Sequence, residues 1–451
     1  MPFQTINPYT SEFLFQVPFD SPAAIKNKID AAEKCFLNWK QVSFAERGAF
    51  FIRLADLLER DKKRLATLIT LEMGKPILES SAEIEKSALT ARYYAQQAES
   101  MLQPMPLMAG QKAEVHFRPL GVVFGIFPWN YPVWQVLRFV IPTLMAGNTA
   151  VFKHAENTPQ CAAAIIDLFD EAGFPEGALS HVYAPLEQIE SIIANPHIHA
   201  VILTGSGRAG SSVAALAGKY LKKVVLELGG SDPFIVLPDA DLKKAAQVGV
   251  LARYQNTGQS CIAAKRFIVH ESVYDDYLSL FTEELGSWQA GDPMLESTRL
   301  GVMARQDLSK LLEEQVDETI AMGAKRILGG RRAGNTGFVP GILSDIPVNS
   351  RAWQEELFGP VASFYRAKSM DDILHIANAT NFGLGASVWT PNEMQFRKLA
   401  AEIESGMVYW NNMVKSTPEL PFGGVKDSGI GRELSIFGIH EFTNRQLLYP
   451  F

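Results

Sequence analysis

At 451 residues the chain is long enough for about three domains of roughly 150 residues, each with a sizeable core. Hydrophobic residues make up 47% and charged residues 20%, which excludes a disordered or fibrous chain. A formal net charge of −7 excludes a surface built to track nucleic-acid phosphates, so a small-molecule partner is expected.

The N-terminus, Met1-Pro2-Phe3-Gln4-Thr5, lacks a basic stretch followed by an apolar one, and no run reaches about 18 apolar residues. Neither export nor membrane insertion is expected, and the cytoplasm is the default compartment. Ser21-Pro22 starts a helix, with serine as N-cap, proline at the first turn and Ile25, Ile29, Ala32, Phe36 and Trp39 along one face. A second helix begins at Ser43, where Glu46 completes a capping box, and its pattern runs on to the stop at Gly74-Lys75-Pro76. A third covers Ala82 to Ser100. The Pro/Met-rich run from Gln103 to Gly110 then breaks this helical scaffold and leads into an extended, protruding hairpin.

Beyond Gly121 the pattern changes to short β-branched runs alternating with helices. Val122 to Ile126, Ala150 to Phe152, Val201 to Thr204 and Val224 to Leu226 read as buried strands, with Thr158-Pro159 capping an intervening helix. A second alternation begins near Pro233, with strands at Phe234 to Leu237 and Arg266 to Val269. Such alternation implies right-handed crossovers and parallel sheets, which bind nucleotides at the carboxyl ends of their strands. Two α/β domains follow, and the segment after Gly438 is too short to be another, so it is expected to serve as an oligomerisation strand.

Directly after the strand ending at Thr204 comes Gly205-Ser206-Gly207-Arg208-Ala209-Gly210, opening a helix through Ala217. Such a string lets backbone approach a pyrophosphate at a helix N-terminus, although alone it is as readily a structural turn. Further on, Glu227-Leu228-Gly229-Gly230 and Gln259-Ser260-Cys261 supply a carboxylate and a thiol, the parts needed to form and then hydrolyse a thioester. The three cysteines, Cys35, Cys161 and Cys261, are odd in number and widely spaced, which argues against a disulfide framework. Cys35 and Cys161 read as inert core cysteines. The eight histidines are scattered; His197 and His199 alternate as on a strand without further ligand spacing, so no metal is expected.

Together with Pro128-Trp129-Asn130-Tyr131-Pro132, Glu356-Leu357-Phe358-Gly359-Pro360 and Pro421-Phe422-Gly423-Gly424, these motifs resemble, in order, those of the aldehyde dehydrogenases along nearly the whole chain. The resemblance implies an α/β fold: a Rossmann-like cofactor domain over 1–98 and 120–229, a catalytic domain over 230–427, and an oligomerisation segment over 99–119 and 428–451 that makes a homodimer or homotetramer. It implies that Cys261 attacks the aldehyde, that the Asn130 amide and the Cys261 backbone N–H hold the oxyanion, and that Glu227 is the base for the hydrolytic water. For Glu227 the alternative is a strand-end carboxylate paired with Lys223 or Lys153; for Asn130, a turn asparagine.

For the cofactor the resemblance implies Phe127, Pro128, Trp129, Lys153, Glu156, Gly205, Ser206, Gly210, Leu228, Glu356 and Phe358. A carboxylate at Glu156 repels an added phosphate and favours NAD over NADP, whereas Lys153 pulls the other way. Glu227-Leu228-Gly229-Gly230-Ser231-Asp232-Pro233 and Arg253-Tyr254-Gln255-Asn256-Thr257 resemble the short bacterial succinate-semialdehyde dehydrogenases. That implies an anionic aldehyde gripped by Arg138, with Gln135, Gln255, Ser416, Thr417 and Phe422 assisting; the alternative for Arg138 is a structural ion pair. Gln255 stands where some members of that group carry a second arginine, so other aliphatic aldehydes or semialdehydes stay open as substrates. A coenzyme-A-acylating enzyme and a non-catalytic nucleotide-binding protein are competing expectations; relatives of the first kind typically lack the residue that Glu227 matches.

Overall fold

The computed structural model describes residues 2–107 and 112–449. Residues 108–111, 450 and 451 of the expected oligomerisation segment, including the end of the Gln103 to Gly110 break, lie outside the described residues, as does Met1.

Serine caps define the first two helices. Ser21 accepts from the Ala24 N–H at the start of Pro22–Trp39, and Ser43 and Glu46 form the reciprocal box ahead of Phe44–Arg60. The expected run to Gly74 is two helices, because the backbone leaves helical geometry at Asp61 and Lys62–Met73 starts anew. The Asp61 carboxylate is held there by Arg60 at 2.7 Å and Arg64 at 2.8 Å. The long helix Ile77–Met101 packs across this scaffold and carries a buried polar stripe toward the site. A hairpin of Phe3–Ile6 against Phe13–Val17 precedes the helices; it is absent from the sequence expectation although Asn7-Pro8 between its short strands is a turn signal.

Two sheets follow. In the first, the strand order is Gly429–Ile430, Lys223–Glu227, Ile198–Thr204, Val122–Ile126, Thr149–Lys153 and Leu179–His181. All its pairs are parallel except the outermost, Gly429–Ile430 against Glu227 and Leu226. The chain winds outward from Val122–Ile126 in one direction, then returns to its other side with Ile198–Thr204. A crevice therefore opens between the carboxyl ends at Ile126 and Thr204, the switch point where open α/β sheets take ligands.

The second sheet runs Lys325–Leu328, Gly341–Ser344, Val361–Ala367, Ala264–His270, Asp232–Val236, Gly385–Trp389 and Met407–Trp410, with only its first pair antiparallel. Thr158 does not cap the helix Pro159–Glu171 through its side chain. Its hydroxyl donates instead to His154 Nδ1 at 2.8 Å, an acceptor because burial pushes that imidazole down to about 4 and keeps it neutral.

The expected oligomerisation segment divides. Met105–Pro106, Glu114–Pro119 and Thr443–Leu448 form a separate three-stranded sheet. Residues 429–441, by contrast, stay with the first sheet, as its added edge strand and as the helix Ser435–Glu441 packed on Trp134–Met145.

Candidate active site

Cys261 follows the helix Leu242–Tyr254 and a tight turn, Gln255–Gly258, and precedes the strand Ala264–His270. Within the turn Asn256 and Thr257 both sit at φ 54°, in the left-handed region that a β-branched residue rarely enters. The surroundings impose it. Glu79 accepts the Asn256 N–H at 2.6 Å, the Asn256 amide donates to Asn130 O at 2.9 Å, and Thr257 Oγ1 accepts the Gly301 N–H at 3.1 Å. Gly258, at φ 72°, lies so close to Gly359 that a Cβ would come within 2.5 Å of its carbonyl carbon.

Lys265 completes the clamp. Its buried ammonium donates to Ser260 O and Cys261 O, each at 2.8 Å, and pairs with Glu356 at 2.9 Å. Arg253 ties the same turn to the Glu356–Pro360 motif through Leu357 O at 2.8 Å and Val361 O at 2.7 Å. Burial pushes the Cys261 thiol up to about 12, against the pull of Arg138 and Lys265. Cys35 and Cys161 are buried, and burial raises both thiols, the second far above the usual range.

The thiol opens onto a cavity of about 310 Å³ between the helices Ile77–Met101 and Trp134–Met145 and the segment 413–422. Gln135, Arg138, Gln255, Ser416 and Phe422 line it; Thr417 does not. Asn130 is buried beside Cys261's loop: its Oδ1 accepts from Gln135 Nε2 at 3.0 Å, and Nδ2 donates to Gln259 O at 3.0 Å. Gln135 thus fixes the amide orientation; Asn130 is not among the residues that line the cavity, and its second Nδ2 hydrogen has no partner among the described residues.

Arg138 takes up its structural alternative while staying on the cavity wall. Its guanidinium is ion-paired with buried Glu433 and lies 4.6 Å over the Phe422 ring. Lys86, not singled out in the sequence, lines the same cavity, donates to Ser416 Oγ at 2.6 Å and stands 4.1 Å over the Trp134 ring.

Glu227 ends its strand buried, and neither carboxylate oxygen has a hydrogen-bond partner among the described residues. The expected alternative pairings are not formed: Lys223 meets Glu441 at 2.9 Å and Lys153 meets Glu156 at 3.8 Å. Oε1 packs against Gly423, where a Cβ would come within 2.7 Å of it. Burial, then the nearby Glu433, pushes this carboxyl well above the usual range; Arg138 and Arg432 oppose them.

At the switch point the backbone N–H of Phe127 donates to Lys153 O at 3.0 Å, and Trp129 meets Phe358 edge to face at 5.8 Å, with Pro128 between the two residues in sequence. Opposite, Ser206 caps the helix Gly207–Lys219 through the Ala209 N–H at 3.3 Å. Neither Gly205 nor Gly207 adopts positive φ; at Gly210 a Cβ would come within 2.6 Å of a Leu228 methyl, which would have to move. No heavy atom lies within 4 Å of a Cβ built at Gly207, so the helix start is open. Lys153 Nζ meets His154 O at 3.2 Å, while Glu156 is exposed. Glu356 accepts the Gly230 N–H at 3.2 Å besides its pair with Lys265. An open helix N-terminus, a cation and facing aromatic rings fit a dinucleotide.

Glu79, Lys86, Lys265, Arg253 and Glu433 escape the motif-based reading. A signal existed for the first two: Glu79, Glu83, Lys86 and Thr90 repeat at helical spacing as a polar stripe among Ile84, Ala88 and Ala91, which face the core.

The sequence pattern described as "Aldehyde dehydrogenase family" matches residues 1–448. A relative from Deinococcus radiodurans, named an NADP(+) succinate-semialdehyde dehydrogenase, is 44% identical over 100% of this chain and 95% of its own length. One of the same name from Mycobacterium avium is 44% identical over 100% of this chain and 97% of its own. The crystal structure of succinic semialdehyde dehydrogenase from Streptococcus pyogenes in complex with NADP+ superposes with a TM-score of 0.97 at 35% identity, covering 99% of each chain. That of succinate-semialdehyde dehydrogenase from Burkholderia pseudomallei gives 0.95 at 34%, covering 99% of this chain and 94% of the other.

Proposed function

Because the chain belongs to the aldehyde dehydrogenase family, we propose that the aldehyde it oxidises with NAD(P) is succinate semialdehyde and that the product is free succinate. The observation that carries this is the cavity over Cys261, whose wall holds Lys86, a cation with no ion pair among the described residues, and so favours an anionic chain. The names of the Deinococcus and Mycobacterium relatives support the same substrate.

In this reading the Cys261 sulfur adds to the aldehyde carbon, and the oxyanion is met by the free Nδ2 hydrogen of Asn130 and the Cys261 N–H. A bound nicotinamide supplies the hydride acceptor. Lys153, Ser206 and the open start of the Gly207–Lys219 helix hold the adenosine and pyrophosphate side, with Glu356 and the Trp129 and Phe358 rings toward the nicotinamide. Glu227 then takes a proton from the water that hydrolyses the Cys261 thioester, which yields the acid rather than a coenzyme A ester. For that step its carboxylate must turn away from Gly423 toward the sulfur.

Glu156 supports NAD over NADP, since an exposed carboxylate 3.8 Å from Lys153 repels a ribose phosphate and partly neutralises the lysine. A homodimer or homotetramer is supported by the small sheet ending in Thr443–Leu448, where Leu447 and Leu448 are exposed. A panel of succinate semialdehyde, butanal and glutarate semialdehyde assayed with both nucleotides, with product identified by mass, tests all but the assembly. Free succinate, the highest kcat/KM on succinate semialdehyde and faster turnover with NAD are expected. A thioester product, or equal kcat/KM on butanal, would overturn the substrate and hydrolysis assignments.

A further inference from the structure

Arg138, Lys86 and Lys415 all line the substrate cavity; Lys415 is exposed, and of the other two only Lys86 lacks a counter-charge among the described residues. Arg138 already has a counter-charge: Glu433 takes its guanidinium in a buried ion pair, Phe422 covers one face and Thr204 Oγ1 lies at 3.5 Å, while its Nε is buried without a hydrogen-bond partner. Lys86 is different. Its partners are a neutral hydroxyl, Ser416 at 2.6 Å, and the face of the Trp134 ring. Among the described residues it forms no ion pair.

The carboxylate that could have served, Glu83 one helical turn earlier, is fully used. One oxygen is paired with buried Lys75, and the other accepts the N–H groups of Val133 and Trp134, each at 2.9 Å. A partly buried ammonium without a counter-ion is costly, and an anion arriving in the cavity removes that cost. Ser416 is placed to share it, because its hydroxyl is already 2.6 Å from the ammonium and both residues line the wall.

Resting on the anionic substrate proposed above, we propose that Lys86, with Ser416, is the residue that reads the distal carboxylate of the substrate, and that Arg138 instead braces Glu433 and the Phe422 wall. In that pose the aldehyde meets Cys261 while the carboxylate meets Lys86, both of which line the one cavity.

The ammonium carries a built-in proton signature. Burial, then Arg138, pushes Lys86 down to about 7, with Lys75 adding to the lowering and Glu83 and Cys261 opposing it. Glu79, Gln255 and Lys415 complete the polar lining around it. A carboxylate bound at pH 8 therefore draws a proton onto Lys86, and the affinity falls as pH rises through about 7 and above.

The test compares the wild-type enzyme with Lys86→Met, Lys86→Arg and Ser416→Ala on succinate semialdehyde and on butanal. Lys86→Met removes the ammonium, so KM for succinate semialdehyde should rise about 10- to 100-fold more than KM for butanal. Lys86→Arg should recover part of that loss. Calorimetry of succinate binding at pH 8 in two buffers of different ionisation enthalpy should show proton uptake in the wild type and none in Lys86→Met. If the wild type prefers succinate semialdehyde and Lys86→Met keeps that preference or loses both substrates equally, the Lys86 assignment is overturned while the substrate stands. If the wild type shows no preference for the anionic aldehyde, both are overturned.

Discussion

Cys261 is the nucleophile of the proposed reaction, yet its surroundings hold it as a thiol. Burial raises its pKa to about 12, so the neutral thiol predominates at pH 7 before ligands bind. Alkylation by iodoacetamide should therefore accelerate about tenfold per pH unit between pH 7 and 10, and Cys261→Ala should remove the label because Cys35 and Cys161 are buried. A plateau below pH 9 would contradict this account. Glu227 obeys the same arithmetic with opposite consequence. Its raised pKa means that the base form appears only as pH climbs, so hydrolysis of the acyl-enzyme should quicken with pH. Glu227→Gln should give a burst of reduced nucleotide followed by a steady rate lower by about 10²- to 10⁴-fold. Unchanged steady turnover would remove Glu227 from that role. Both residues were legible in the sequence because their neighbours form recurrent strings. Their protonation states were not, since those depend on Glu433, Arg138 and Lys265, which arrive from other segments.

Among the elements, the turn Gln255–Gly258 does most to aim the thiol. Two left-handed non-glycine residues in succession are held by Glu79, Asn130 and Gly301, and Gly258 leaves no space for a side chain. Gly258→Ala combines a left-handed backbone cost of about 1–2 kcal/mol with a clash worth about 1–3 kcal/mol. It should lower the melting temperature and reduce kcat about 100-fold or more, as expected of a nucleophile displaced by about 1 Å. Wild-type kcat in this variant would show that the turn does not position Cys261. Serine caps and β-branched runs placed Pro22–Trp39, Phe44–Arg60 and the central strands from sequence, because those signals act over one turn or one pleat. The break at Asp61, the hairpin at Phe3–Ile6 and the Thr158 hydroxyl went unread. The Thr158 hydroxyl depends on a side chain, His154, that competes with the helix it was expected to cap.

At the scale of the whole molecule, alternation of strands and helices announced two parallel sheets, and the switch point of the first falls between Phe127 and Gly205 as the nucleotide motif requires. What alternation does not encode is which distant residues close the cavity. Lys86 and Ser416 are 330 positions apart, and the Arg138–Glu433 and Lys265–Glu356 pairs likewise join different elements. No helix of the described residues is long and apolar enough to cross a membrane.

The strand Gly429–Ile430 adds to the edge of Lys223–Glu227, and Glu433 lies just beyond it. On the ribosome, where domains form from the N-terminus onward, a growing chain presents Cys261 and Glu227 long before these residues exist. Arg138 then has no counter-charge, and the edge beside Glu227 is bare. The crevice beside Cys261 is therefore finished by residues translated long after the thiol itself, and a chain truncated before Gly429 would carry that thiol without the neighbours that govern it.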